Sequence, residues 1–178
     1  RLEALREMDF GAWFSETFRG EGLLTLESLL DRYAGRGVLM AELKAGPGSQ
    51  NRPEYRRRLC RATAEIIARM VPAGQYRGIF ILSFDADMVD RTRTLGPLFN
   101  YIRNLRRAPS RRTLDSPVNQ GLWGYGLSFR KLSAAVSRQC HDQGKRLAVY
   151  SCNTAAQASK AIELGADVVM TDDPANVS

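Results

Sequence analysis

Histidine occurs once in 178 residues and cysteine three times. The cysteines, Cys60, Cys140 and Cys152, form no CxxC pair and have no histidine-rich stretch beside them. An odd count with such spacing argues against a disulfide framework and a zinc site, so reduced, buried thiols are expected. No apolar run approaches the roughly 18–20 residues that a membrane-spanning helix needs. No GxGxxG or GxxxxGK[ST] follows any apolar run, which removes the signals of a nucleotide fold. The glycines of "GLWGYG" (121–126) have the wrong spacing and no helix start directly behind them. The opening residues "RLEALREMDF" have neither an initiator Met nor the pattern of a signal peptide.

What is present suffices for one folded domain. The composition is 44% apolar, with aliphatic and aromatic residues along the whole length. The net charge is +7, and arginines cluster in "YRRRLCR" (55–61) and "IRNLRRAPSRR" (102–112). A basic stripe is one signature of a nucleic-acid binder. The first cluster, however, lies on a segment whose Leu59, Ala62, Ile66 and Ile67 keep helical spacing, so its arginines read as the wet face of an amphipathic helix. Nucleic acid is not expected as a partner.

Short apolar runs alternate with helical patterns. Helices are expected at 25–37, capped by Thr25, at 53–71 with Pro53 at its start, at 86–95, at 128–144 capped by Ser128, and at 154–166 opening on Thr154. Strands are expected at 38–43, 78–84, 97–102, 118–125, 146–153 and 167–173, with an Arg/Ser/Pro loop from Arg103 to Pro117. Such βα alternation favours parallel strands with right-handed crossovers. Two architectures fit it: an open doubly wound sheet, or a (β/α)8 barrel lacking two units.

The polar residues bear on this choice. Glu42 and Lys44, then Ser83 and Asp85, then Tyr150, Ser151 and Asn153, then Thr171, Asp172 and Asp173 each lie at the C-terminal end of an expected strand. In a barrel those ends meet at one mouth, where barrel enzymes keep their sites. Strand alternation places Glu42 and Lys44 on one face.

The order of these motifs resembles the glycerophosphodiester phosphodiesterase family of phospholipase C-like barrels. "MDFGAWFSETFRGEGLLTLESLL" (8–30) resembles the family's segment after its second strand, and "AELK" (41–44) its third-strand motif. "LSFD" (82–85), "LAVYSCN" (147–153) and "ELGADVVMTDDPANV" (163–177) resemble later strand ends. The resemblance implies an α/β fold of the TIM-barrel type, (β/α)8, of which about six βα units are present. Residues 1–178 would be a partial phosphodiesterase domain holding the third to eighth units. The strands ending at Glu42 and Thr171 would then be open edges. "NYIRNLRRAPSRR" (100–112) has no counterpart in the family's pattern.

The resemblance also implies a site. Glu42 would be a ligand of a divalent cation, Ca2+ or Mg2+, and Lys44 would face the substrate phosphate. Ser83, Tyr150 and Asn153 would contact substrate, with Tyr150 in place of the family's usual tryptophan. The family's two catalytic histidines and its glutamate-x-aspartate pair have no match here. The single histidine, His141, sits late on a helix and so at the wrong end of a barrel. The expected activity is metal-dependent hydrolysis of small-molecule glycerophosphodiesters to glycerol 3-phosphate and an alcohol, with this stretch inactive alone. The alternative is a non-catalytic, barrel-derived module that binds phosphate or a partner.

Overall fold

Six strands, all parallel, pair in the order in which they occur along the chain. The structure, a computed structural model, describes residues 2–48, 52–96 and 98–177. The strands are β1 (Leu39–Glu42), β2 (Ile79–Ser83), β3 (Asn100–Leu105), β4 (Gly124–Ser128), β5 (Arg146–Tyr150) and β6 (Val168–Val169). Helices α1 (Leu2–Arg6) and α2 (Leu26–Tyr33) precede β1, and α3 (Pro53–Met70) links β1 to β2. Four more follow in order: α4 (Ala86–Leu95), the short α5 (Arg111–Leu114), α6 (Ala134–His141) and α7 (Ala155–Glu163).

Local chemistry accounts for the helix starts. Thr25 caps α2 by accepting from the Ser28 N–H, and Thr154 caps α7 by accepting from that of Gln157. Pro53 opens α3, where its missing N–H costs nothing. Asp85 caps α4, accepting from the Asp87 and Met88 N–H groups.

Alternation along the strands gives the sheet two faces. Leu39, Ile79, Ile81, Tyr101, Tyr125, Leu147 and Val149 pack against the helices, and the main core forms there around Ile67, Met88 and Ala161. The opposite face carries Met40, Phe80, Leu82, Ile102, Ala148, Val168 and Met170, with Trp123 edge-on to Phe80. These residues come from the first strand to beyond the last and form one cluster, so the sheet curls and encloses its inner face. Six parallel strands with covering helices are a barrel wall in sequence order, and β1 and β6 are the ends of the sheet. Cys60, Cys140 and Cys152 are buried free thiols, as expected. Burial pushes the Cys140 thiol up to about 11.

Four expected elements differ in position or length. The strand expected at 97–102 is β3 at 100–105, so the central strand occupies what reads as loop; Pro97 lies outside the described residues. Arg103 and Asn104 dilute its apolar pattern, but both are accommodated. Arg103 donates to Asn119 Oδ1 on the helix side, and Asn104 lies on the inner face two residues past Ile102. The strand expected at 118–125 begins only at Gly124, after a 3-10 turn at Pro117–Asn119. β4 runs on through Ser128 and passes straight into a 3-10 turn at Phe129–Lys131, so α6 starts only after that turn. Ser133 caps α6 instead, accepting from the Val136 N–H. The last strand shrinks from seven expected residues to Val168–Val169.

The N-terminal ends of the strands are tied by charge. Asp167 receives the Leu147 N–H (2.8 Å), Arg146 Nη1 (2.8 Å) and His141 Nε2 (2.9 Å). Burial pushes this carboxyl up, but the Leu147 N–H, Arg146 and His141 together outweigh it and hold it below its ordinary value of 3.8. A depressed folded value gives stability that is complete above the ordinary value and is lost as pH falls through the folded one. Asp167→Asn is therefore expected to lower the urea midpoint at neutral pH and to flatten its decline on acidification below about pH 4. Parallel midpoint–pH curves for the two proteins would remove Asp167 as the source.

Candidate active site

The mouth is built on β1. Leu43, just past the strand, is buried on the helix side, and its backbone is gripped on both sides. Its N–H donates to the Leu82 carbonyl at 2.8 Å, and its carbonyl accepts from Ser83 Oγ at 2.6 Å. With Leu43 fixed outward, Glu42 and Lys44 must both turn to the other side. Lys44 Nζ lies 3.1 Å from Glu42 Oε2. The pair anticipated from strand alternation is thus formed, with the Glu42 side chain partly shielded and Lys44 in water.

Two clefts open beside this pair. One, of about 660 Å³, is lined by Glu42, Lys44, Arg56, Ser83, Asp85 and Arg106, among others. The second, of about 650 Å³, is lined by Glu42, Lys44, Phe84, Asn104 and Tyr150, together with Thr171 and Asp172 beyond β6. Glu42 and Lys44 border both. The second cleft joins residues from the two ends of the sheet, which places the C-terminal strand ends around a common space.

The other expected residues have mixed placements. Ser83 borders the first cleft, but it is 1% exposed and its hydroxyl is engaged, donating to Leu43 and accepting from the Asp85 N–H. It supports β1 beside the cleft. Tyr150 borders the second cleft, edge-on to Phe84, and donates to the Leu105 carbonyl at 3.1 Å. Burial raises its phenol, with the Arg106 charge opposing. Asn153 borders neither cleft. Its Oδ1 accepts from the Asp172 N–H and Thr171 Oγ1, and its Nδ2 donates to Asp172 Oδ2. Those bonds clasp the chain after β6 and leave its side chain facing the loop rather than the cavity.

Four residues that the sequence does not single out as site residues, Arg56, Phe84, Arg106 and Asn104, also line the clefts. Three arginines of the first cluster, Arg57, Arg58 and Arg61, are exposed as an amphipathic helix requires. Arg56 instead turns to the first cleft and pairs with Asp85 at 2.9 Å. Arg106 stacks over the Phe84 ring at 4.9 Å. The signal for Asn104 was its position two residues beyond Ile102, visible once the strand is extended to Leu105.

A profile of the glycerophosphoryl diester phosphodiesterase family matches residues 1–176. The chain belongs to this family. YhdW of Bacillus subtilis (strain 168), named provisionally as a glycerophosphodiester phosphodiesterase, is 25% identical over 174 residues, covering 97% of this chain and 68% of that protein. A phosphodiesterase of Oleispira antarctica, solved with the product sn-glycerol-3-phosphate, superposes with a TM-score of 0.85 at 19% identity. The match covers 99% of this chain and 68% of the Oleispira chain. A glycerophosphodiester phosphodiesterase of Parabacteroides distasonis gives 0.77 at 22% identity, over 97% of this chain and 66% of its own. These likenesses confirm the TIM-type α/β fold. The strand β3, which lacked a counterpart in the motif pattern, is a regular member of that sheet.

The grip on Leu43 can be tested. Ser83→Ala removes a donor to a buried carbonyl and an acceptor for the Asp85 N–H, a loss of about 1–3 kcal/mol. A drop of that size in unfolding free energy is expected by urea denaturation, and an unchanged midpoint would show that the Ser83 bonds do not hold β1.

Proposed function

We propose that this chain forms the phosphate-binding side of a site that acts on glycerophosphodiesters, yielding glycerol 3-phosphate and an alcohol. The observation that carries this is the Glu42–Lys44 pair, 3.1 Å apart and bordering both clefts. A phosphodiester carries one negative charge, and more gathers on its oxygens in the transition state. Cations fixed beside that position stabilise the transition state more than the ground state. Lys44 supplies an ammonium at the shared rim, and Arg56 and Arg106 add positive charge at the first cleft. The glycerol 3-phosphate bound in the Oleispira relative has the chemistry that such a rim would hold.

Divalent-cation dependence belongs to this reading through Glu42, but the residues described here do not fit a complete site. Among them no three His, Cys, Asp or Glu side chains converge, whereas Ca2+ takes roughly 6–8 oxygens. Glu42 would supply one ligand to Ca2+ or Mg2+, with its Lys44 partner turned to the phosphate.

Proton transfer sets the limit on this chain's own chemistry. Hydrolysis needs groups that take a proton from the nucleophile and return one to the leaving alcohol. The sole histidine, His141, is bound to Asp167 at the opposite end of the strands. Its position favours a second reading, a phosphate-binding module without turnover of its own. Among the described residues no helix is long and apolar enough to cross a membrane.

Both readings are tested on the 178-residue protein. Calorimetry with sn-glycerol 3-phosphate should show binding, weakened about 10-fold in Lys44→Ala, about 1.4 kcal/mol. Equal affinity in the variant would overturn the role of Lys44. Incubation with glycerophosphocholine and Ca2+ should release no glycerol 3-phosphate above the spontaneous rate; clear release would establish catalysis by this chain and dismiss the second reading.

A further inference from the structure

Asn104 is 4% exposed, borders the second cleft, and its Oδ1 has no hydrogen-bond partner among the described residues. Buried carboxamides in folded proteins are normally bonded, and an exception points to a missing partner. The position is also built to receive this side chain. Gly126 pairs with Asn104 across β3 and β4, and a Cβ on Gly126 would lie 2.0 Å from Asn104 Oδ1. Glycine there leaves the carboxamide its room, at the cost of a weaker strand.

The cleft in front of Asn104 has a distinct character. Leu82, Val169, Met170 and the Tyr150 ring give it apolar walls, while Glu42 and Lys44 lie at its rim. The ionised phosphodiester group of the substrate brings only acceptors, which cannot satisfy an orphaned carbonyl oxygen. A hydroxyl brings a donor for Oδ1 and an acceptor for Nδ2, and its carbon skeleton suits the apolar walls.

We infer that Asn104 binds a hydroxyl of the glycerol moiety, on the inner wall beside the phosphate-binding rim. This inference rests on the glycerophosphodiester reading above and extends it to the part of the substrate that carries no charge. Asn104 thereby distinguishes a glycerol-bearing phosphate from a bare one. The unsatisfied oxygen is then a local defect of the free protein that substrate repairs.

The test uses the 178-residue protein with two ligands, sn-glycerol 3-phosphate and inorganic phosphate. Asn104→Ala should weaken glycerol 3-phosphate binding about 10-fold, leave phosphate binding unchanged, and leave the melting temperature of the free protein equal or higher. Gly126→Ala, which crowds the carboxamide without removing it, should reproduce the selective loss. A lower melting temperature with unchanged glycerol 3-phosphate affinity would make Asn104 structural and sink the inference. Equal losses for both ligands, or a loss seen only with added Ca2+, would also overturn it, the latter in favour of a cation ligand. Should the unsubstituted protein bind neither ligand, the glycerophosphodiester reading falls and takes this inference with it. Should it bind both and Asn104→Ala not discriminate, only the role of Asn104 falls.

Discussion

Leu43 is the residue on which the mouth depends. Its side chain is driven into the core between sheet and helices, and its backbone is bonded on both sides to β2. A charged residue at a strand end is ordinarily free to follow water. Here the apolar residue between two charged ones is immobilised, so pleating alone sends Glu42 and Lys44 to the same side. The cost of bringing opposite charges together at the rim is small, because Lys44 remains hydrated and Glu42 is only partly shielded. The hydrophobic effect, acting on one leucine, thus sets the geometry of a polar site.

The two ends of the strands divide the labour. At the N-terminal ends, Asp167 gathers a backbone N–H, an arginine and the only histidine into a closed set of bonds. Lys145 similarly gives its ammonium to the Gln120 and Leu122 carbonyls. These groups are satisfied within the protein. At the C-terminal ends, Lys44 is largely in water, Arg106 lies on an aromatic face, and the Asn104 Oδ1 has no hydrogen-bond partner among the described residues. Satisfied polar groups stabilise, whereas unsatisfied ones are available to a ligand.

Much was legible because short-range chemistry sufficed. Thr25, Thr154 and Pro53 mark helix starts wherever the chain goes, and Ile79–Ser83 is apolar enough to be a buried strand in any parallel sheet. The misplacement of β3 has a plain cause. Arg103 and Asn104 are tolerated in a central strand because Asn119, on a distant loop, accepts from one and Gly126, on the next strand, makes room for the other. Neither accommodation is visible in a local window, so the segment reads as loop and Asn104 escapes notice. Asn153 shows the reverse error. Its place at a strand end suggested a cavity, but the nearest unsatisfied groups belonged to the loop after β6 and captured its side chain.

The βα alternation, the parallel sheet and the Glu42–Lys44 pair follow from the order of residues alone, because periodicity and motif order are properties of neighbours along the chain. Which polar side chains reach the mouth depends on the folded sheet. Arg56 comes from a helix, Asn104 from the part of β3 that reads as loop, Arg106 from just past that strand, and Asp172 from beyond the last strand. They meet because the sheet curls and brings its first and last strand ends around one space. That curvature arises from the summed twist and packing of six strands, which no single segment encodes.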